Sequence, residues 1–154
     1  MAKLMQLEIV TPDKSLMKRN DVSYVLAETV MGPIGILANH APLIGTLNES
    51  PLKYRSEDGK DHFIFIDAGF MEVNNNKVTV LSAAAEMAEA IDVARAQAAE
   101  ARALKHIENP EPTIDLEVIG RNLRRAKGRL KTVLGARLKN ITTSLNLLTS
   151  MKRN

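Results

Sequence analysis

The stretch ARAQAAEARALKHIENPEPTIDLEVIGRNLRRAKGRL, residues 94–130, decides how the second half of the chain folds. Six of the ten residues from Ala94 to Ala103 are alanine, the strongest helix former, so the run reads as helix as far as Ile107. Asn109-Pro110-Glu111-Pro112 ends it, because proline lacks a backbone donor and pushes the residue before it out of the helical region. Thr113 or Asp115 then caps a second helix. In that helix Leu116, Ile119, Leu123, Ala126 and Leu130 recur at steps of 3, 4, 3 and 4, which stacks them on one face. Two helices across a short proline-rich turn make an antiparallel hairpin, and small alanines on the first let the leucine seam of the second approach closely.

Downstream, the seam continues through Leu134, Leu138, Ile141, Leu145 and Leu148 after one extra four-residue step, a stutter in a heptad-like pattern. Unbroken to Met151, the second helix would be about 50 Å long at 1.5 Å per residue. The first helix is too short to cover all of it, so the stripe beyond Leu134 must find another partner or remain mobile. Gly120, Gly128 and Gly135 each weaken the helix by about 1 kcal/mol relative to alanine, which marks the hairpin as a candidate for conformational change. Upstream, an alanine-rich segment opens at Ala83-Ala84-Ala85. Asp92 either caps the inner part of the first helix or is an early-turn acid of a helix that starts sooner.

The N-terminal half reads as β. Strand-like runs at Leu4–Val10, Asp21–Thr29, Ile34–Leu37, Leu43–Leu47, Leu52–Arg55, His62–Ile66, Phe70–Val73 and Lys77–Leu81 recur at intervals of roughly ten residues. Thr11-Pro12-Asp13, Glu57-Asp58-Gly59 and Asn74-Asn75-Asn76 are turn signals, the last because asparagine tolerates the positive φ of a tight hairpin. Many short strands of this kind argue for a sandwich or barrel. The fold class is α+β: an N-terminal antiparallel β-sandwich (1–86), a C-terminal two-helix hairpin (87–134) and a basic helical extension (135–154).

Charge follows the same division. Residues 1–85 carry 8 Lys/Arg and 10 Asp/Glu, a net of −2, and residues 86–154 carry 13 and 8, a net of +5. From Val118 to Asn154 there are 10 basic residues and no acid, which points to an acidic partner for that segment. There is no cysteine, which excludes a disulfide-stapled scaffold. No run approaches the ~18 apolar residues of a membrane span, and the N-terminus does not read as a signal peptide, so a soluble protein on the cytoplasmic side is expected. His40, His62 and His106 show no metal-ligand spacing, and no metal site is expected. The basic segment lacks interleaved aromatics, so nucleic acid is not an expected partner.

With these elements in order, three sequence blocks identify a family. Gly32-Pro33-Ile34-Gly35-Ile36-Leu37-Ala38-Asn39-His40-Ala41-Pro42-Leu43 resembles a glycine-bracketed stretch ending in His-Ala-Pro-Leu of the epsilon subunits of F-type ATP synthases. Gly69-Phe70-Met71-Glu72-Val73, followed by Val78-Thr79-Val80-Leu81, is similar to a second block of that family, and Leu7-Glu8-Ile9-Val10-Thr11-Pro12-Asp13 to its opening. Together they cover residues 4 to about 134. The family often has an acid where Pro33 stands and a proline where Ala38 stands.

The resemblance implies a non-catalytic subunit of the central stalk. It would lie beside the gamma subunit and the membrane c-ring, peripheral to the cytoplasmic face of a bacterial plasma membrane, without inserting into it. Gly32, Pro33, Ile34, Gly35, His40, Ala41, Pro42 and Leu43 would form the stalk and c-ring interface. The hairpin would be the regulatory part: folded against the sandwich it permits ATP hydrolysis, and extended along gamma it reaches the alpha/beta head and blocks it. No cofactor is required, but ATP is implied as a regulatory ligand. Ile91-Asp92-Val93-Ala94-Arg95-Ala96 matches the family's nucleotide pattern, with Glu86, Arg102, Arg125 and Arg129 at the accompanying positions. Arg125 and Arg129 are i and i+4, so they share a face, and Arg102 meets them only when the hairpin is closed.

Plainer readings stand beside these. Asp92 and Arg95 could be a cap and its ion-pair partner, and Arg125 and Arg129 a solvated face. A stand-alone nucleotide-sensing module, or a coiled-coil adaptor built on Leu116–Leu148, would be the alternatives to a motor subunit.

Overall fold

The computed structural model describes residues 3–152. Seven strands, β1 (Met5–Val10), β2 (Ser15–Thr29), β3 (Gly32–Leu37), β4 (Leu43–Ser56), β5 (Asp61–Asn74), β6 (Lys77–Leu81) and β7 (Ala85–Met87), precede α1 (Val93–Glu108) and α2 (Leu116–Met151). The sheet order is β1-β6-β5-β4-β2-β3, with β7 on β5 and an added β1–β2 pairing that rolls the sheet back on itself. All pairings are antiparallel except β1–β6, which is parallel (Gln6 opposite Lys77, Val10 opposite Leu81). Two expected pairs of short strands are each one long strand. β4 and β5 pair in unbroken register from Leu43 opposite Val73 to Arg55 opposite Asp61.

Alternation along these strands turns Leu7, Ile9, Val25, Ile36, Leu52, Ile64, Ile66 and Val80 inward, each at 1 % exposure or less. Tyr54 is also buried and stacks on His62, 4.7 Å between ring centres, so His62 is part of the packing. Asn75 and Asn76 adopt φ of 48° and 59°, the positive values expected of the β5–β6 turn. At Gly69 φ is +135°, and a Cβ there would stand 2.0 Å from the Leu81 carbonyl oxygen. That glycine lets β5 pair with β7 over its first half and with β6 over its second.

The run Ile64-Phe65-Ile66-Asp67 is buried on both faces. Ile64 and Ile66 enter the sandwich core, and Phe65 forms a second cluster outside it with Ile91 and Val133. A strand covered on both faces loses its alternation, which is why this segment is so apolar.

The alanine-rich segment is not helical from its start. Ala85–Met87 is β7, hydrogen-bonded to β5, and a single 3-10 turn covers Ala88–Ala90. Sheet pairing outweighs helix propensity there. Asp92 is the true N-cap, its carboxylate accepting from the Arg95 backbone N–H at 3.0 Å, and Asp115 caps α2 in the same way through the Glu117 N–H at 2.9 Å.

α2 lies along β4 and β5, and the glycines are where it comes closest. A Cβ on Gly128 would sit 2.6 Å from the Phe65 ring and 2.9 Å from the Glu49 carbonyl oxygen, and one on Gly135 2.8 Å from the Phe63 ring. These two residues, which lower helix propensity, make room for aromatic rings. Beyond the sheet the helix continues, and Leu138, Ile141, Leu145 and Leu148 remain 54–57 % exposed.

A row of charged pairs fastens the helix down: Arg124–Glu49 at 3.3 Å, Arg125–Asp67 at 2.7 Å, Arg129–Glu86 at 2.6 Å and Lys139–Asp61 at 3.0 Å. The Asp61 side chain is only 2 % exposed. Burial pushes its carboxyl up, but hydrogen bonds from Arg55 and Lys139 and the charges of Arg55 and Lys53 outweigh this and hold it below the ordinary carboxylate value. A carboxylate lowered on folding stabilises the fold above the unfolded value, 3.8, and loses that contribution as pH falls through the folded one. Asp61→Asn is therefore expected to cost about 1–3 kcal/mol at neutral pH and to flatten the acid limb of a melting-temperature profile. An unchanged acid limb would show that Asp61 does not carry this dependence.

Candidate functional site

α2 packs on the outer face of β4 and β5, α1 packs on α2, and a cavity of about 580 Å³ is lined by both helices together with Asp67 of β5 and Glu86 of β7. Ala96, Ala103 and Ala126 are at most 4 % exposed where the helices touch, so small side chains set their close approach. The lining contains Glu86, Asp92, Arg95, Ala96, Arg102, Arg125 and Arg129, seven of the eight positions that the nucleotide pattern singles out. Ile91, the eighth, does not line the cavity. It is 8 % exposed and packs with Phe65 and Val133, where it anchors the chain entering α1.

Asp92 and Arg95 are joined through the backbone cap, and no ion pair links them among the described residues. Arg125 and Arg129 are not a solvated face. Each reaches across to the sandwich: Arg125 Nε donates to the Asp67 carboxylate at 2.7 Å, and Arg129 Nε to that of Glu86 at 2.8 Å. The Arg129 guanidinium also lies over the Phe65 ring, 4.6 Å from its centre. The two arginines thus tie α2 to the sandwich and present charge to the cavity. Their i, i+4 spacing puts both on the inner face of α2.

The cavity holds four guanidiniums and three carboxylates, Asp67, Glu86 and Asp92. Its volume is within the usual range for small-molecule sites. Guanidiniums suit bidentate contact with phosphate, and carboxylates can accept from hydroxyl or amino groups. Sequence reasoning missed Asp67, His106 and Asn122. His106 had a usable signal, standing four residues after Arg102 on the same face of α1. Asp67 had none, since only the fold brings it to Arg125, 58 positions away. No cluster of metal-ligating side chains occurs among the described residues.

The proposed interface residues lie in two adjoining segments. Gly32, Pro33, Ile34 and Gly35 belong to β3, an edge strand paired only with β2, where proline is tolerated. Gly35 is needed for space, because a Cβ there would stand 2.9 Å from the Tyr24 hydroxyl. His40, Ala41 and Pro42 lie in the loop after β3, with the His40 ring nitrogen 2.7 Å from the Ala41 carbonyl, and Leu43 opens β4.

A rolled β-sandwich carrying a helical hairpin latched over a cation-rich cavity defines a two-part protein. The model of the ATP synthase delta/epsilon chain β-sandwich domain matches residues 4–88, and that of the delta/epsilon long α-helix domain residues 89–133. The chain belongs to this family, as an epsilon subunit of the F-type ATP synthase. It is 50 % identical over 103 residues to the ATP synthase epsilon chain of Lawsonia intracellularis, covering 67 % of this chain and 76 % of the relative. With the Staphylococcus aureus (strain N315) epsilon chain it shares 38 % over 127 residues, 82 % and 94 % of the two lengths. In fold it is similar to a chain of the Euglena gracilis mitochondrial ATP synthase (TM-score 0.74, 24 % identity, 90 % and 82 % covered). It is also similar to one in the Tetrahymena thermophila mitochondrial central stalk and c-ring (TM-score 0.55, 15 % identity, 85 % and 97 % covered). No helix among the described residues is long and apolar enough to cross a membrane.

Proposed function

We propose that this chain is a non-catalytic rotor subunit that docks through its sandwich on the gamma subunit and c-ring, and that its hairpin is an ATP-sensing brake on hydrolysis. ATP bound between the helices favours the closed hairpin. Without it the helices extend toward the alpha/beta head, peripheral to the cytoplasmic face of the membrane.

The observation that carries this reading is the double use of Arg125 and Arg129. Their carboxylate partners are on the sandwich, and their guanidiniums line the same cavity as Arg95 and Arg102. A polyanion bound there touches both helices at once, so it stabilises the closed state in proportion to its preference for that state. The part of α2 from Val118 onward has no acid; freed on opening, it suits an acidic surface and makes that contact sensitive to salt.

The test is truncation after Met87 in the assembled complex. The core of the sandwich is complete without the hairpin, so assembly and coupling are expected to persist while ATP hydrolysis rises. A truncated complex that hydrolyses ATP no faster than the full one would refute the brake.

A further inference from the structure

The match to the long α-helix domain ends at residue 133, but α2 runs on without a break to Met151. The start of that added stretch is fitted to the sandwich. Gly135 passes over Phe63, where a Cβ would stand 2.8 Å from the ring. One turn further on, Lys139 Nζ lies 3.0 Å from Asp61 Oδ2. Gly135 and Lys139 are i and i+4, so both meet the start of β5 from one face of α2. From Asn140 to Lys152 every residue is exposed.

These contacts stand apart from the cavity. Asp61, Phe63, Gly135 and Lys139 do not line it, whereas Arg125 and Arg129, which also tie α2 to the sandwich, do. A ligand in the cavity bears on those two arginines and leaves Lys139 untouched. Nor does the sandwich need Lys139 to satisfy its buried acid. Arg55 already donates to both oxygens of Asp61, Nε at 2.7 Å and a terminal guanidinium nitrogen at 3.2 Å. The charge of Lys139 therefore acts on docking and not on the fold of the sandwich.

We infer that residues 135–139 form a lock on the closed hairpin that needs no ligand, so that this chain keeps α2 docked whether or not the cavity holds a nucleotide. Only the effect of the lock on hydrolysis rests on the brake reading; the docking does not. To leave the sheet, α2 gives up an ion pair that a nucleotide neither makes nor breaks. The open state is disfavoured by the same factor at every nucleotide concentration, which weakens the brake.

Amide hydrogen exchange of the full chain without nucleotide tests the lock in the native protein, Lys139→Met and Lys139→Arg. Methionine keeps the helix propensity of lysine and removes its charge. An undocked helix is marginal by itself, so α2 amides exchange from the open state and their rate follows the opening equilibrium. The rate across residues 126–133 is expected to rise about three- to tenfold in Lys139→Met. It should return toward native in Lys139→Arg, with protection across β2 and β4 the same in all three. Unchanged α2 exchange in Lys139→Met would overturn the lock, whatever the hairpin does in the motor. In the assembled complex Lys139→Met is expected to slow ATP hydrolysis, the opposite of truncation after Met87. Faster hydrolysis in that variant would overturn the direction assigned to the lock. Hydrolysis that neither Lys139→Met nor the truncation changes would refute the brake and leave the lock standing on its exchange result.

Discussion

Gly128→Ala should lift α2 from the sandwich and weaken ATP binding in parallel. In an isolated helix this substitution stabilises by about 1 kcal/mol. That gain belongs to the helix whether or not it is docked, so it does not oppose undocking. The docked state carries the penalty: the new Cβ would be 2.6 Å from a ring carbon of Phe65 and 2.9 Å from the Glu49 carbonyl oxygen. Phe65 is fully buried and the Glu49 carbonyl is backbone within β4, so neither yields cheaply. Overpacking of this kind costs about 1–3 kcal/mol, which shifts the closed–open balance roughly 5- to 150-fold. Gly120→Ala is the control. Its Cβ would meet only the end of the Arg124 side chain at 3.5 Å, so the helix should gain stability with docking unchanged. Amide hydrogen exchange across β5 reports the docking. Equal protection in Gly128→Ala and the native chain would show that close approach at residue 128 does not hold the hairpin.

Arg129→Ala is expected to reduce ATP affinity about 10- to 150-fold, the effect of losing a charge-assisted contact worth about 1.5–3 kcal/mol. Three effects add. The phosphates lose a guanidinium, the latch to Glu86 at 2.6 Å is lost, and the Phe65 ring loses the cation above it. The Glu86 carboxylate is then left uncompensated in the cavity, where it repels the ligand. Arg129→Lys keeps the charge but not the planar fork and should fall between the two. Glu86→Gln separates latch from ligand contact, since it weakens closure while freeing Arg129 for phosphate. Unchanged calorimetric affinity in Arg129→Ala would rule out the cavity as the nucleotide site.

The parts of the fold that local chemistry governs were legible. The Asn109-Pro110-Glu111-Pro112 break, the cap of α2 at one of two candidate residues, Asp115, and the Asn75-Asn76 turn are each set by a few adjacent residues, and each stands in the structure. The start of α1 was not. Ala85, Glu86 and Met87 prefer helix in isolation, but Phe65 and Ile66 offer a strand edge twenty residues away, and the sheet wins. Helix propensity marks Gly128 and Gly135 as weak points, because propensity is a one-dimensional property. Whether a missing Cβ is a loss or a fit depends on what lies opposite, here the rings of Phe65 and Phe63.

The nucleotide pattern divides in the same way. Sequence alone determined the α+β class and the hairpin, because those follow from spacing along the chain, and the family resemblance pointed to the four arginines that line the cavity. Only the tertiary structure decided that Ile91 packs with Phe65 instead of lining the cavity, that Asp67 holds Arg125, and that His106 lines the cavity. It also showed the leucine stripe from Leu138 onward left uncovered. Partners distant in sequence are chosen by how β5, β7 and the two helices pack, and no local pattern of residues records that choice.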